Sequence, residues 1–246
     1  MTAIAESFAG KVVLVTGATR GIGSAIAALL GSLGADVAVH GRRQFDLRTY
    51  DFGPRAFPVH GDVVRDAASM VDACIAQAGR LDILVNNAGI WPPGSLLELS
   101  DEDVAETVRV NLLGVAAMTK AAALVMKDGG AICNIASIEA FGAPTMHSHY
   151  VASKAGVVAY TMAAAVELGP IGIRVNAVAP GLVERPRLAE EWPEGVERWT
   201  AACPLGRLGT GTDVAEAVAF LVGPNSSWIN GACLTVDGGV SARSPW

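Results

Sequence analysis

Along the chain, short continuous apolar runs alternate with longer stretches in which apolar residues recur three and four positions apart. The first pattern is that of a strand buried on both faces and the second that of a helix packed on one side. Strands are predicted at Lys11 to Thr16, Asp36 to His40, Ala56 to His60, Leu81 to Asn86, Ala131 to Ala136, Ile173 to Val178 and Cys233 to Val236. Helices are predicted over Ile22 to Leu33, Asp66 to Ala78, Asp101 to Met126, His149 to Leu168 and Asp213 to Val222, several of them opened by Ser or Asp at a capping position. Such alternation from end to end predicts an α/β protein with a doubly wound parallel sheet of seven strands, helices on both faces. No linker, repeat or low-complexity stretch divides the 246 residues, so a single domain spanning 1–246 is expected.

Two connections break the pattern. Only His40 to Ala56 joins the second and third strands, and Gly53-Pro54 cuts into it, leaving room for a helix of about two turns at most. Between the sixth and seventh strands, Gly181 to Thr212 is rich in Pro, Glu, Arg and Trp and reads as the substrate-loop segment. Trp192 and Trp199 are seven apart there, a spacing that would put both rings on one helical face. They would form the apolar underside of a lid, or a packing or subunit contact.

Composition narrows the partners. With 51% hydrophobic and 17% charged residues the chain suits a sheet buried under helices, and its apolar excess invites subunit packing. A net charge of −6 argues against a sequence-independent nucleic-acid or anionic-membrane surface. Cys74, Cys133, Cys203 and Cys233 lie far apart with no Cys/His cluster at metal spacing, so reduced thiols and no metal are expected. Met1 to Gly10 has no basic stretch leading into a long apolar run, and apolar runs elsewhere are interrupted, so a cytoplasmic protein is expected.

The first strand runs into Thr16-Gly17-Ala18-Thr19-Arg20-Gly21-Ile22-Gly23 and a helix follows at once. Glycines let backbone approach a pyrophosphate closely, and the helix N-terminus offers N–H groups and partial positive charge. Taken alone, the loop would equally be a strand-to-helix turn. Further residues occur where a dinucleotide would lie along the carboxyl ends of the strands. Asp62, followed by Val63, could accept from an adenine amino group, Asn87-Ala88-Gly89 could pass beside the adenosine ribose, and Pro180-Gly181, with Val183 just beyond, would border the nicotinamide. The second strand ends in His40-Gly41-Arg42-Arg43 with no carboxylate, and Arg20 could approach from the other side. Arginine grips a 2′-phosphate where a carboxylate would repel it, so NADP(H) is expected over NAD(H).

Tyr150 and Lys154 are four apart at the start of a helix and share a face. An ammonium about 4 Å from a phenol, in an effective dielectric of about 20, favours phenolate by roughly 4 kcal/mol before desolvation is subtracted. Tyr150 could then serve as acid or base at an alcohol or carbonyl oxygen. Ser137 closes the fifth strand, where its hydroxyl could orient that oxygen. A Ser-His-Asp hydrolase would compete, given His147 and His149, but no Gly-x-Ser-x-Gly elbow surrounds Ser137. Asn111 puts an amide inside an apolar helical run and needs a partner.

These residues resemble the short-chain dehydrogenase/reductase family over almost the whole chain: the TGxxxGIG loop, Asp62, the Asn-Asn-Ala-Gly segment, Asn111, Ser137, the YxxxK pair and Pro180-Gly181. The resemblance implies a Rossmann sheet in order 3-2-1-4-5-6-7, transfer of the pro-S hydride, and usually a homotetramer, otherwise a homodimer, built on long helices matching Asp101 to Met126 and His149 to Leu168. It also implies that Asn111 holds a water in a proton relay through Lys154, and that Lys154 binds the nicotinamide ribose. Two departures stand out. Arg185 occupies a position where many members carry threonine, and the second crossover is short.

The substrate is less legible. Trp91-Pro92, Ile138 to Phe141 and Met146-His147 would wall a largely apolar pocket for a small or medium carbonyl or alcohol. Within it Glu139 and His147 could contact substrate, or pair with neighbours instead. The 3-oxoacyl carrier-protein reductases of the family are the alternative, but the positions where they carry basic docking residues correspond here to Asp128 and Ile171. An alternative of another class is an NADP-binding scaffold or redox sensor without turnover.

Overall fold

Short runs of buried, mostly β-branched residues set the sheet. In the computed structural model, which describes residues 8–49 and 51–242, the strands are β1 (Val12–Val15), β2 (Asp36–Gly41), β3 (Phe57–His60), β4 (Ile83–Asn86), β5 (Gly130–Ile135), β6 (Ile173–Pro180) and β7 (Cys233–Val236). All six pairings are parallel, in the order β3-β2-β1-β4-β5-β6-β7. Parallel neighbours cannot be joined by a hairpin, so each connection crosses a face of the sheet. The chain starts at β1, winds outward to β3, then returns past β1 to β4, leaving a crevice at the carboxyl ends of β1 and β4.

Alternate residues of a strand face opposite sides, and the two cores follow that rule. Val13 and Val15 of β1 and Val37 and Val39 of β2 meet Ile26 and Leu30 of α1 (Gly21–Ser32) and Val214 and Val218 of α8 (Gly211–Val222). On the other side, Leu14, Leu84, Ile132 and Val175 meet Met70 and Cys74 of α2 (Ala67–Ala78), Met118 of α4 (Gly114–Ala123) and Ala164 of α5 (Ser148–Leu168).

Three elements differ from expectation. Among the described residues of the second crossover, a single 3₁₀ turn at Leu47–Thr49 stands where up to two helical turns were expected. Beyond that turn the chain runs hard against α1: a Cβ on Gly31 would overlap the Phe52 carbonyl, so no helix thickness fits there. The predicted helix from Asp101 to Met126 is interrupted: α3 (Asp101–Val108) passes through a π-turn, Arg109–Leu113, into α4. In the substrate-loop segment α6 (Leu188–Glu191) stops at Trp192 and α7 (Pro193–Ala202) starts anew, so Trp192 and Trp199 do not share a continuous helical face. Pro193 at the first position of α7 has no N–H to continue the preceding helix.

Among the described residues, the stretch Ser148–Ile171 is long and apolar enough by length and composition to cross a membrane. In this fold it lies on the sheet, with Ser153, Lys154 and Thr161 buried. The expectations for residues 1–7, and for the tail beyond 242 that ends in Trp246, lie outside the described residues.

Candidate active site

The glycine loop is stitched to the neighbouring strand across the crevice. Thr16 Oγ1 accepts from the backbone N–H of Asn87 and Ala88 at 2.9 and 3.0 Å, while Asn87 Nδ2 donates to the carbonyls of Thr16 and Gly17 at 2.9 and 3.0 Å. Gly17 has φ +63°, and a Cβ there would sit 2.9 Å from Ala88 Cα. A Cβ on Gly23 would overlap the Asn87 amide and the Gly17 carbonyl, so both positions demand glycine. Arg20, at the N-cap of α1, makes no side-chain cap bond, and the first N–H groups of the helix are open to an anion. Thr19 Cγ2 lies against Gly41, and Ile22 packs toward the core, setting the loop beside the end of β2.

His40, which the sequence offered only as a strand end, holds this loop from below. Its Nδ1 accepts from the Gly17 N–H at 3.0 Å, so the proton resides on Nε2, which donates to the Gly61 carbonyl at 3.0 Å. Burial, opposed by the bond to Gly61, pulls the imidazole below its ordinary value, keeping it neutral. Arg42 and Arg43 follow β2 as exposed side chains, and no hydrogen bond or ion pair among the described residues holds either guanidinium.

Asp62 is more engaged than its place in the sequence suggests. Its carboxylate takes a two-point grip from Arg109 at 3.0 and 3.1 Å and accepts from the backbone N–H of Val64 and Arg65. The Arg109 guanidinium holds its pKa well below the usual carboxylate range. Arg109 also binds Glu106. Sequence reasoning missed Arg109, whose only signal was a charge beside an apolar run. Val63 packs on Gly114, just past the π-turn.

Within that turn Asn111 is fully buried, and its side chain finds the partners it needs. Oδ1 accepts from the Ile90 N–H at 2.8 Å, and Nδ2 donates to the Ile90 carbonyl and Ser153 Oγ at 2.9 and 3.0 Å. The amide is thus bound to protein rather than directed at a ligand, and it fixes the segment after Gly89, where a Cβ would lie 3.2 Å from Asn111 Oδ1 and 3.7 Å from Lys154 Nζ.

Ser137, Tyr150 and Lys154 come together at the ends of β5 and α5. Ser137 accepts from the Glu139 N–H at 3.1 Å and caps a short 3₁₀ turn. Lys154 Nζ donates to the Ile135 carbonyl at 2.7 Å and lies 5.6 Å from the Tyr150 ring centroid. The expected depression of the phenol does not appear. Burial and the Glu139 charge, opposed by a bond with Ser137, push Tyr150 up to about 12, and burial pulls Lys154 down to about 8. Desolvation disfavours both charges and is the leading cause of each shift.

Beside Tyr150, Glu139 Oε2 and His147 Nδ1 are 3.0 Å apart, and the His147 ring meets that of Tyr150 edge-on at 6.1 Å. His149 bonds to the Pro92 carbonyl, and Gly94 N–H to the Met146 carbonyl, joining the loop of Trp91 to the segment before Tyr150. The 143–148 stretch also faces Ser95 and Leu96 across an open groove of about 360 Å³. Pro180 ends β6, and Gly181 lies under the Trp199 ring while Val183 pairs with Gly209. Trp192 instead covers Gly195 and is 41% exposed. Arg185 pairs with Glu191 at 2.6 Å inside its own segment.

A strand order that reverses over a glycine cradle, beside a helix bearing YxxxK, defines a dinucleotide-dependent oxidoreductase. The profile of a family described as enoyl-(acyl carrier protein) reductase matches residues 17–241. The chain is 40% identical to cis-4-hydroxycyclohexanecarboxylate dehydrogenase of Sinomonas cyclohexanicum, covering 96% of this chain and 99% of that one. It is 38% identical to the L-rhamnose 1-dehydrogenase (NAD(P)(+)) of Azotobacter vinelandii, covering 94% and 96%. The ligand-free structure of Thermoplasma acidophilum aldohexose dehydrogenase matches with a TM-score of 0.90 at 32% identity, covering 99% of this chain and 98% of that one. The chain belongs to the short-chain dehydrogenase/reductase family, whose members use a nicotinamide cofactor on alcohol and ketone substrates.

Proposed function

We propose that this protein is an NADP(H)-dependent oxidoreductase interconverting a ketone and a secondary alcohol on a small to medium, mostly apolar substrate, with Tyr150 as acid and base. The observation that carries the reading is the grouping of Tyr150, Ser137 and Lys154 at the carboxyl ends of the strands, beside the glycine cradle. Bound along that cradle, the nicotinamide would supply or accept the hydride. Tyr150, protonated at neutral pH, is ready to donate to an oxygen gaining charge, and the Ser137 hydroxyl orients that oxygen. Lys154 supplies the neighbouring cation, and Asn111 positions the segment that follows Gly89. The relatives' named substrates are a cyclic hydroxy acid, cis-4-hydroxycyclohexanecarboxylate, and the sugars L-rhamnose and an aldohexose.

NADP(H) is favoured by the exposed pair Arg42 and Arg43, with Arg20 on the adjacent loop and no carboxylate closing β2. Arg42→Asp should move the preference toward NAD(H) by about tenfold or more. Titration of both cofactors, followed by fluorescence, checks this, and a wild type already favouring NAD(H) would refute it. A panel of ketones and cyclic alcohols, run with wild type and Tyr150→Phe, tests the activity itself. Tight cofactor binding with no Tyr150-dependent turnover would favour the scaffold reading. Asp128 and the 53%-exposed Ile171 give no basic surface for an acidic carrier, which favours a free substrate over a carrier-bound one. The assembly we propose is a homotetramer, with cytoplasmic location supported by four free thiols.

A further inference from the structure

Glu139 and His147 lie on the two segments that flank Tyr150, Ile138–Ala140 and the stretch before α5, which also carry the exposed apolar side chains Phe141 and Met146. Their side chains are 24% and 28% exposed, sheltered but reachable from solvent. Three constraints hold them. Glu139 lies in the 3₁₀ turn capped by Ser137, whose Oγ accepts its N–H at 3.1 Å. His147 follows Met146, a non-glycine residue at φ +67° whose carbonyl accepts from Gly94. It also precedes the first turn of α5, with its ring on Tyr150. Backbone strain next to a reacting side chain persists where surrounding structure enforces it. Glu139 Oε2 is bound to His147 Nδ1 at 3.0 Å, and Glu139 Oε1 remains as an acceptor. A carboxylate oxygen placed there matches a hydrogen-bond donor and repels an anion.

We propose that the Glu139–His147 pair reads a second hydroxyl on the substrate, close to the reacting carbinol, so that the enzyme takes diols in preference to simple alcohols and hydroxy acids. The proposal rests on the oxidoreductase reading above and specifies its substrate. In wild type, kcat/KM for cis-1,2- or 1,3-cyclohexanediol should exceed that for cyclohexanol by about tenfold or more, the worth of a charge-assisted hydrogen bond. The value for 2-hydroxycyclohexanecarboxylate should fall below that for cyclohexanol.

In Glu139→Ala the diol-to-cyclohexanol ratio should drop to near one and the carboxylate should gain relative to cyclohexanol. Glu139→Gln, which keeps an acceptor but loses the charge, should retain part of the diol preference while losing discrimination against the anion. These ratios are internal to each variant, and cofactor affinity by fluorescence reports whether the variant is folded. Equal turnover of diol and cyclohexanol by wild type would overturn the proposal, as would a diol preference that survives Glu139→Ala, or a stronger preference for 2-aminocyclohexanol than for the diols. Turnover of none of these compounds, despite cofactor binding, would overturn the oxidoreductase reading itself. Turnover of cyclohexanol alone would overturn only the proposal.

Discussion

At the scale of single residues, hydrogen-bond arithmetic decides protonation. His40 can accept from Gly17 and donate to Gly61 only as the neutral Nε2–H tautomer. Replacing it with Phe leaves the partly buried Gly17 N–H without its side-chain acceptor, a loss of about 1–3 kcal/mol. His40→Phe should therefore raise the cofactor Kd by about 5- to 150-fold, and unchanged binding in a fluorescence titration would show that the loop holds without it. Because the folded imidazole lies below its ordinary value, the unfolded chain takes up the proton first as pH falls. The His40 contribution to stability is thus complete above about pH 6.5 and declines below it. Tyr150 obeys the same logic with opposite charge. The Glu139 carboxylate helps raise it, so Glu139→Gln should lower its pKa and shift the pH profile of alcohol oxidation toward acid. A profile that stays in place would separate Glu139 from the phenol. Tyr150→Phe should cut kcat/KM by about 10²- to 10⁴-fold, the usual contribution of a positioned acid or base, with cofactor affinity retained.

At the scale of elements, the π-turn at Arg109–Leu113 is the clearest departure from a regular pattern, because two of its side chains reach other segments. Arg109 clamps Asp62 after β3, and Asn111 clamps Ile90 after β4 and Ser153 on α5. Asn111→Leu would strand the Ile90 N–H and carbonyl, costing at least about 2 kcal/mol and lowering Tm by roughly 4–8 °C. Calorimetry measures this, and a Tm within about 1 °C of wild type would mean that the turn does not depend on the amide. The apolar spacing of Asp101 to Met126 could not reveal the turn, since inserting one residue into a helical turn leaves the amphipathic stripe nearly intact. The amide buried in that stripe was visible in the sequence; its three partners lie 21 and 42 residues away.

At the scale of the whole molecule, α5 serves both the candidate site and an outer surface. Its inner face carries Lys154, Val157 and Thr161, while Met162 and Val166, one turn apart, are 51% and 77% exposed. Exposed apolar side chains on a long helix suit the tetramer proposed above. Val166→Glu should shift sedimentation toward a smaller species, and a monomeric wild type would remove the basis for that assembly.

Strand and helix order, the glycine cradle and the YxxxK spacing were legible because each is a local pattern: sheet burial imposes an apolar run, and a four-residue step puts two side chains on one helical face. Arg42 and Arg43 could be read for the same reason, as charges standing where a carboxylate was missing. What the sequence could not convey was which distant groups compensate each other. His40 joins Gly17 to Gly61, Arg109 joins Asp62 to Glu106, and Arg185 turns to Glu191. The phenol–ammonium attraction was foreseen from spacing, but its sum with desolvation was not, because burial belongs to the assembled fold and there it prevails. Local periodicity therefore determined the architecture and the candidate reacting side chains, while tertiary packing decided their charges, partners and reach.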